Sequence, residues 1–140
     1  MSKHLVAVLF IAVSMASSNA QQPSTKIESV PIKRTSVTSG KQMYQSYCAV
    51  CHGVSGVGNG SAAPALKMPP ANLTLLSSKN NGVFPGDHVA AVLRFGSANP
   101  AHGSAEMPIW SDLFSTIGSH DQASLRVANI TDYLKTLQKK

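Results

Sequence analysis

The sequence predicts an all-α fold, and three observations carry that expectation. Ser39-Gly40-Lys41-Gln42 and Ser119-His120-Asp121-Gln122 each place Ser three residues ahead of Gln, the spacing of a capping box that starts a helix. Apolar residues follow each of them at helical intervals. No stretch alternates apolar and polar residues as a half-buried strand would.

The first helix is expected from about Gly40 to Cys51, with Met43, Tyr44, Tyr47, Cys48 and Cys51 on one face and Gly53 turning the chain away. Residues 54–63 (VSGVGNGSAA) form a Gly/Ser loop, and residues 64–76 hold Pro64, Pro69 and Pro70, which makes them irregular. Residues 87–95 (DHVAAVLRF) begin with an acid, carry Val89, Val92 and Leu93 on one side and stop at Gly96, which reads as a short helix. Residues 97–115 are expected as an extended loop. In the final helix Ala123, Val127, Ile130, Leu134 and Leu137 recur with the helical period, and Lys135, Lys139 and Lys140 complement the negative end of its dipole.

Ahead of the first helix the composition changes twice. Lys3 and His4 precede an unbroken apolar run at residues 5–13 (LVAVLFIAV), and Ser18-Asn19-Ala20 offers small residues for cleavage. Residues 1–20 therefore read as a signal peptide, and the protein as exported, to the periplasm if the source is Gram-negative. The apolar run falls short of the roughly 20 residues a bilayer span needs, so no membrane span is expected after cleavage; the alternative is an uncleaved N-terminal anchor. Residues 21–38 are polar, with Pro23 and Pro31, and read as a flexible leader. The other reading has Ile27, Val30 and Ile32 clamped onto the domain surface. Residues 39–140 are left as one domain with a small core.

The chain's formal charge is +6, but Lys3 belongs to the signal and the leader holds Lys26, Lys33 and Arg34 against Glu28, so +3 remains on residues 39–140. That is too little to argue strong electrostatic steering. No basic stripe with interleaved aromatics appears, so nucleic acid is not an expected partner.

Cys48-Ala49-Val50-Cys51-His52 carries the chemistry. Two thiols three positions apart on a helical turn match the separation of the two vinyl groups of haem, and each can add across one vinyl to form a thioether. The His that follows falls beneath the iron as proximal ligand, and C-x-x-C-H is the c-type haem attachment pattern. Cys48 and Cys51 are the only cysteines in the chain. Three rivals fit less well. A dithiol redox motif would open a helix beside a βαβ unit, whereas this one closes a helix. A structural zinc site wants four ligands, and His88, His102 and His120 are scattered singly. A disulfide between Cys48 and Cys51 would close a very short loop and stabilise little.

This arrangement resembles class I cytochrome c over residues 39–140. The resemblance rests on the C-x-x-C-H after a helix with Gly40 and Tyr44, on Met107 in a Met-Pro loop, and on a terminal helix carrying Ile130 and Tyr133. It implies three to five helices wrapped around one covalently bound haem c, with the first and last helices crossing at Gly40 and aromatics locking the crossing. Pro64-Ala65-Leu66 is similar to the family's Pro-x-Leu segment, which implies that the Pro64 carbonyl accepts the proximal imidazole N–H. Ala65 departs from the Asn that many members have there. The resemblance also implies Met107 as the second iron ligand. Met107 lies 55 residues beyond His52 with Pro108 behind it, room enough to reach the opposite haem face, whereas Met68 lies only 16 beyond. His102 is the competing ligand and would lower the reduction potential. Trp110 is a candidate for packing at the ring edge, with a core aromatic as the plainer reading. Arg94 is a candidate partner for a propionate, with a solvent-facing helix end as its alternative.

Two strong-field axial ligands leave no iron position for substrate, so the expected function is electron carriage between redox protein partners. The carrier would be either soluble or a haem subunit of an oxidoreductase complex, and not itself an enzyme. The rival is a five-coordinate haem protein, a peroxidase or gas sensor, in which Met107 does not bind.

Overall fold

The computed structural model describes residues 31–96 and 107–139. Four helices and three single turns of 3-10 helix make up its regular structure, with no strand among the described residues.

The first helix, α1, runs over residues 40–52 in three abutting parts: an α-helical turn Gly40–Met43, a π-helical stretch Tyr44–Cys48, and an α-helical turn Ala49–His52. Ser39 caps it as expected, its hydroxyl accepting from the Gln42 amide at 3.2 Å. The reciprocal half of the box goes elsewhere, because Gln42 Oε1 accepts from the Ser36 amide. The π-helical widening, of a kind often met at functional sites, lies directly ahead of the attachment motif.

Helix α2 spans Gly86–Phe95, buries Val89 and Leu93, and carries Asp87 at its positive end and Arg94 at its negative end. Helix α3, Trp110–Thr116, falls where an extended loop was expected. It is only seven residues long, yet with Ile117 at its C-cap the core-facing residues Trp110, Leu113, Phe114 and Ile117 fall at i, i+3, i+4 and i+7, a helical period that the expectation of an extended loop passed over. Helix α4, His120–Thr136, has the complete capping box, Ser119 Oγ accepting from the Gln122 amide and the Gln122 side chain accepting from the Ser119 amide.

Helix α4 is the spine against which α1, α2 and α3 all pack. At its contact with α1 the backbones come so close that a Cβ on Gly40 would lie 2.0 Å from the Asn129 carbonyl oxygen and 2.9 Å from Tyr133 Cβ. Tyr44 and Tyr133 lock that crossing with ring centroids 5.3 Å apart, and Ile130 is wholly buried beneath. The crossing implied by Gly40, Tyr44, Ile130 and Tyr133 is therefore present. Beside it Tyr47, Trp110 and Phe114 form an aromatic triad with centroids 5.5–5.8 Å apart, a geometry that adds to simple area burial.

Residues 31–38, which composition assigned to a flexible leader, are instead a strap lying on the domain. Thr35 is buried, the Tyr47 hydroxyl donates to the Lys33 carbonyl, Asn129 Nδ2 donates to the Val37 carbonyl at 2.9 Å, and Ile32 packs against the core. Polar composition misled here because the strap is held chiefly by side chains reaching from the helices to its backbone, with Ile32 adding the apolar contact that the second reading allowed. The domain so described begins no later than Pro31. The segment expected as signal peptide lies outside the described residues. No described helix is long and apolar enough to cross a membrane.

Candidate haem-attachment site

The attachment motif closes α1, and the following loop takes up the carbonyls that the helix end leaves without partners. The amides of Ala62, Gly60 and Gly58 donate to the carbonyls of Val50, Cys51 and His52 at 2.8, 3.0 and 2.8 Å. Gly53 begins that loop at φ 78°, a left-handed value that costs glycine nothing. The Tyr44 hydroxyl reaches along the helix to donate to the Gly53 carbonyl at 2.7 Å, and burial pushes its pKa up to about 12, with Cys48 and Tyr133 adding to the shift. The carbonyl of Gly56 then receives the Leu73 amide at 2.7 Å, which brings residues 70–73 alongside His52.

His52 Nδ1 lies 3.0 Å from the Ala71 carbonyl oxygen. A carbonyl only accepts, so this contact makes Nδ1 the protonated nitrogen and leaves the lone pair on Nε2 for a metal. Burial lowers the His52 pKa below its usual 6.5, against an opposing pull from the Ala71 bond. Neutral imidazole with the far nitrogen anchored is the form in which histidine ligates metals. The acceptor implied by the family resemblance was Pro64. That residue lies exposed in the 3-10 turn Ala63–Ala65, and the carbonyl that meets the ring belongs to Ala71. The signal for it was the second Pro-Ala pair, Pro70-Ala71, followed by Asn72. The Asn72 side chain caps the turn Leu73–Leu75 by accepting from the Thr74 amide at 3.0 Å and from its hydroxyl at 2.7 Å. The residues just past the end of α4 hold the same segment from behind, with Gln138 Nε2 donating to the Leu73 carbonyl and the Lys139 amide to the Thr74 carbonyl.

Cys48 is buried, Cys51 half-buried, and both thiols are free. Burial pushes the Cys48 thiol up to about 12, with the neighbouring Cys51 adding to the shift. A thiol held protonated is a poor attacking nucleophile, which argues against a dithiol redox site. Among the described residues no three His, Cys, Asp or Glu side chains gather to hold a metal ion. The donor set, two free thiols and one oriented neutral imidazole, fits covalently attached haem.

The remaining candidates divide. Met107 is half-buried and packs against the core cluster, while Met68 is 46% exposed. His102 lies outside the described residues. Trp110 is a core aromatic in the triad with Tyr47 and Phe114, one residue from the attachment site along α1 by way of Tyr47. Arg94 is exposed at the end of α2, where it lines a shallow hollow with Ser111, Asp112 and His120 that contains none of Cys48, Cys51 or His52. The residue that sequence reasoning missed is Arg126, which lies in the core among the apolar positions of α4. A lone arginine inside a helical period reads as solvent-facing, and only the neighbouring strap explains why it is not.

The family model described as cytochrome C oxidase, cbb3-type, subunit III matches residues 35–118, more than half of the 140-residue chain. The matched stretch begins within the strap and takes in the attachment motif, Ala71 and Met107. No curated protein matches the chain.

Proposed function

The chain belongs to the cbb3-type cytochrome c oxidase subunit III family and carries a c-type cytochrome domain, and we propose that it is an exported monohaem electron carrier. In this reading residues 1–20 direct export, to the periplasm of a Gram-negative cell, and are removed. Cys48 and Cys51 would hold the haem through thioethers, and His52 Nε2 and Met107 would ligate its iron. The bound haem supplies a one-electron couple, and His/Met ligation sets it at a relatively high potential.

The observation that carries this reading is the anchoring of His52 Nδ1 on the Ala71 carbonyl beside the two free thiols. It fixes the tautomer and the ring orientation before any metal is bound. The fold's other contributions are to exclude water from Cys48 and to hold Met107 against the core at the mouth of α3. The partners are redox proteins, one donating and one accepting a single electron. As a family member the domain is suited to working either freely or docked on an oxidase.

Mass spectrometry and near-infrared spectroscopy of exported protein test the reading together. One haem attached through thioethers, residues 1–20 missing, and a methionine-to-ferric-iron charge-transfer band that Met107→Ala abolishes and Met68→Ala spares are the expected results. Loss of the band in Met68→Ala instead would reverse the ligands. Wild-type protein that already binds carbon monoxide readily would replace the carrier with a five-coordinate haem protein.

A further inference from the structure

Arg126 is only 4% exposed, on the face of α4 that carries Val127 and Ile130. Its Nη1 donates to Thr35 Oγ1 at 2.9 Å and to Met43 Sδ at 3.4 Å, and its Nη2 donates to the Thr35 carbonyl at 2.9 Å. The guanidinium lies 5.8 Å above the Phe114 ring centroid, and its Nε is buried with no hydrogen-bond partner among the described residues. All of these partners are neutral, and no described carboxylate pairs with it. A guanidinium does not lose its proton in a protein, and an ion taken out of water costs several kcal/mol unless it is paired. Packing alone would be served at lower cost by Met or Leu, and pinning the strap by a neutral amide. Beyond its fork of N–H donors, a fixed positive charge is what distinguishes arginine from those.

That charge is connected to the attachment helix. The Tyr47 hydroxyl gives its proton to the Lys33 carbonyl, so at the 2.8 Å contact between Thr35 Oγ1 and Tyr47 the threonine is the donor. The donors therefore run in one direction, from Arg126 to Thr35 to Tyr47 to the Lys33 carbonyl, an arrangement in which each bond polarises the next. Phe114, beneath the guanidinium, stacks on Tyr47 at 5.5 Å. Tyr47 directly precedes Cys48.

We propose that Arg126 is a potential-setting residue, a core cation that favours the reduced state of the haem carried on Cys48 and Cys51. The proposal rests on the reading of the domain as a haem electron carrier. Taking one electron from a reduced redox protein lowers the domain's net charge by one, and a cation in low-dielectric surroundings stabilises that state. Because the charge is enclosed, salt screens it little.

Redox titration of the exported holoprotein at low and high salt tests this, alongside thermal melts. Arg126→Met, with Arg126→Gln as the second neutral variant, should lower the reduction potential at both salt concentrations. Thr35→Val removes one of the clamp's acceptors and breaks the relay to Tyr47 but keeps the charge, so it should lower the melting temperature and shift the potential by less than Arg126→Met does. Lys135→Met, an exposed cation on the same helix, should shift the potential less, and that shift should vanish at high salt. If Thr35→Val moves the potential as far as Arg126→Met, or if Arg126→Met moves it no further than Lys135→Met, Arg126 is merely structural. Protein that accumulates without any haem would sink the carrier reading instead, and pyridine haemochrome analysis of the wild type detects that separately.

Discussion

Replacing Gly40 by Ala tests whether the contact between α1 and α4 is as close as it looks. The new Cβ would lie 2.0 Å from the Asn129 carbonyl oxygen and 2.9 Å from Tyr133 Cβ, where ordinary contact starts at 3.4 Å. Neither atom is the free end of a side chain, so the two helices have to part locally by about 1.4 Å, the difference between 3.4 and 2.0 Å. Overpacking of this kind costs ~1–3 kcal/mol. Alanine's better helix propensity returns at most ~1 kcal/mol, and less at the first residue of a helix. A net loss of about 2 kcal/mol corresponds to a fall of roughly 8–16 °C in melting temperature for a domain of this size. Gly86→Ala is the matched control. Gly86 is also the first residue of its helix, α2, but its Cβ would meet nothing closer than 3.7 Å. Far-UV circular dichroism melts of the ferric holoprotein decide the matter. A Gly40→Ala protein that melts with Gly86→Ala and the wild type would refute the close crossing.

Ser119→Ala removes the hydroxyl that accepts from the Gln122 amide and should cost about 1 kcal/mol, read as the shift in urea midpoint at unchanged slope. Acid should weaken the fold through His52. Its pKa is held below the usual 6.5 by burial, so the unfolded chain takes up a proton that the folded chain refuses. The stability is therefore fully present above about pH 6.5 and is lost as pH falls from there through the lowered folded value. The proposed iron ligation at Nε2 would act in the same direction. Urea unfolding at pH 7.5 and pH 5 measures this, and a fold equally stable at both would contradict it.

Much of this was legible in the sequence because the signals were local. Both capping serines, the apolar stripe of α4 and the five-residue motif on α1 involve residues within a few turns of one another, where spacing determines geometry. What escaped was set by distant neighbours. Helix α3 is the exception, a short local stripe of Trp110, Leu113, Phe114 and Ile117 that was passed over between a Met-Pro loop and the last capping box. The acceptor for His52 sits 19 residues away, and Asn72 after Pro70-Ala71, the residue type missing at Ala65 after Pro64, was the mark that went unread. Arg126 was invisible for the same reason: its partner Thr35 is 91 residues earlier, in a stretch whose polarity argued for solvent.

The long reach of those last contacts bears on how the molecule is made. The strap and α1 are synthesised early, yet what closes over them, Arg126 on Thr35 and Asn129 on Val37, lies 91 and 92 residues downstream. Until α4 has emerged, nothing can complete the wall around Tyr47 and Cys48. On the proposed export route, a chain crossing a membrane from its N-terminus would pass through an interval in which α1 is already out and its two thiols are still open to solvent. Cys48, 8% exposed in the finished domain, would be most open to the proposed haem attachment during that interval. The order of residues along the chain would then work as a timer: modification first, closure second.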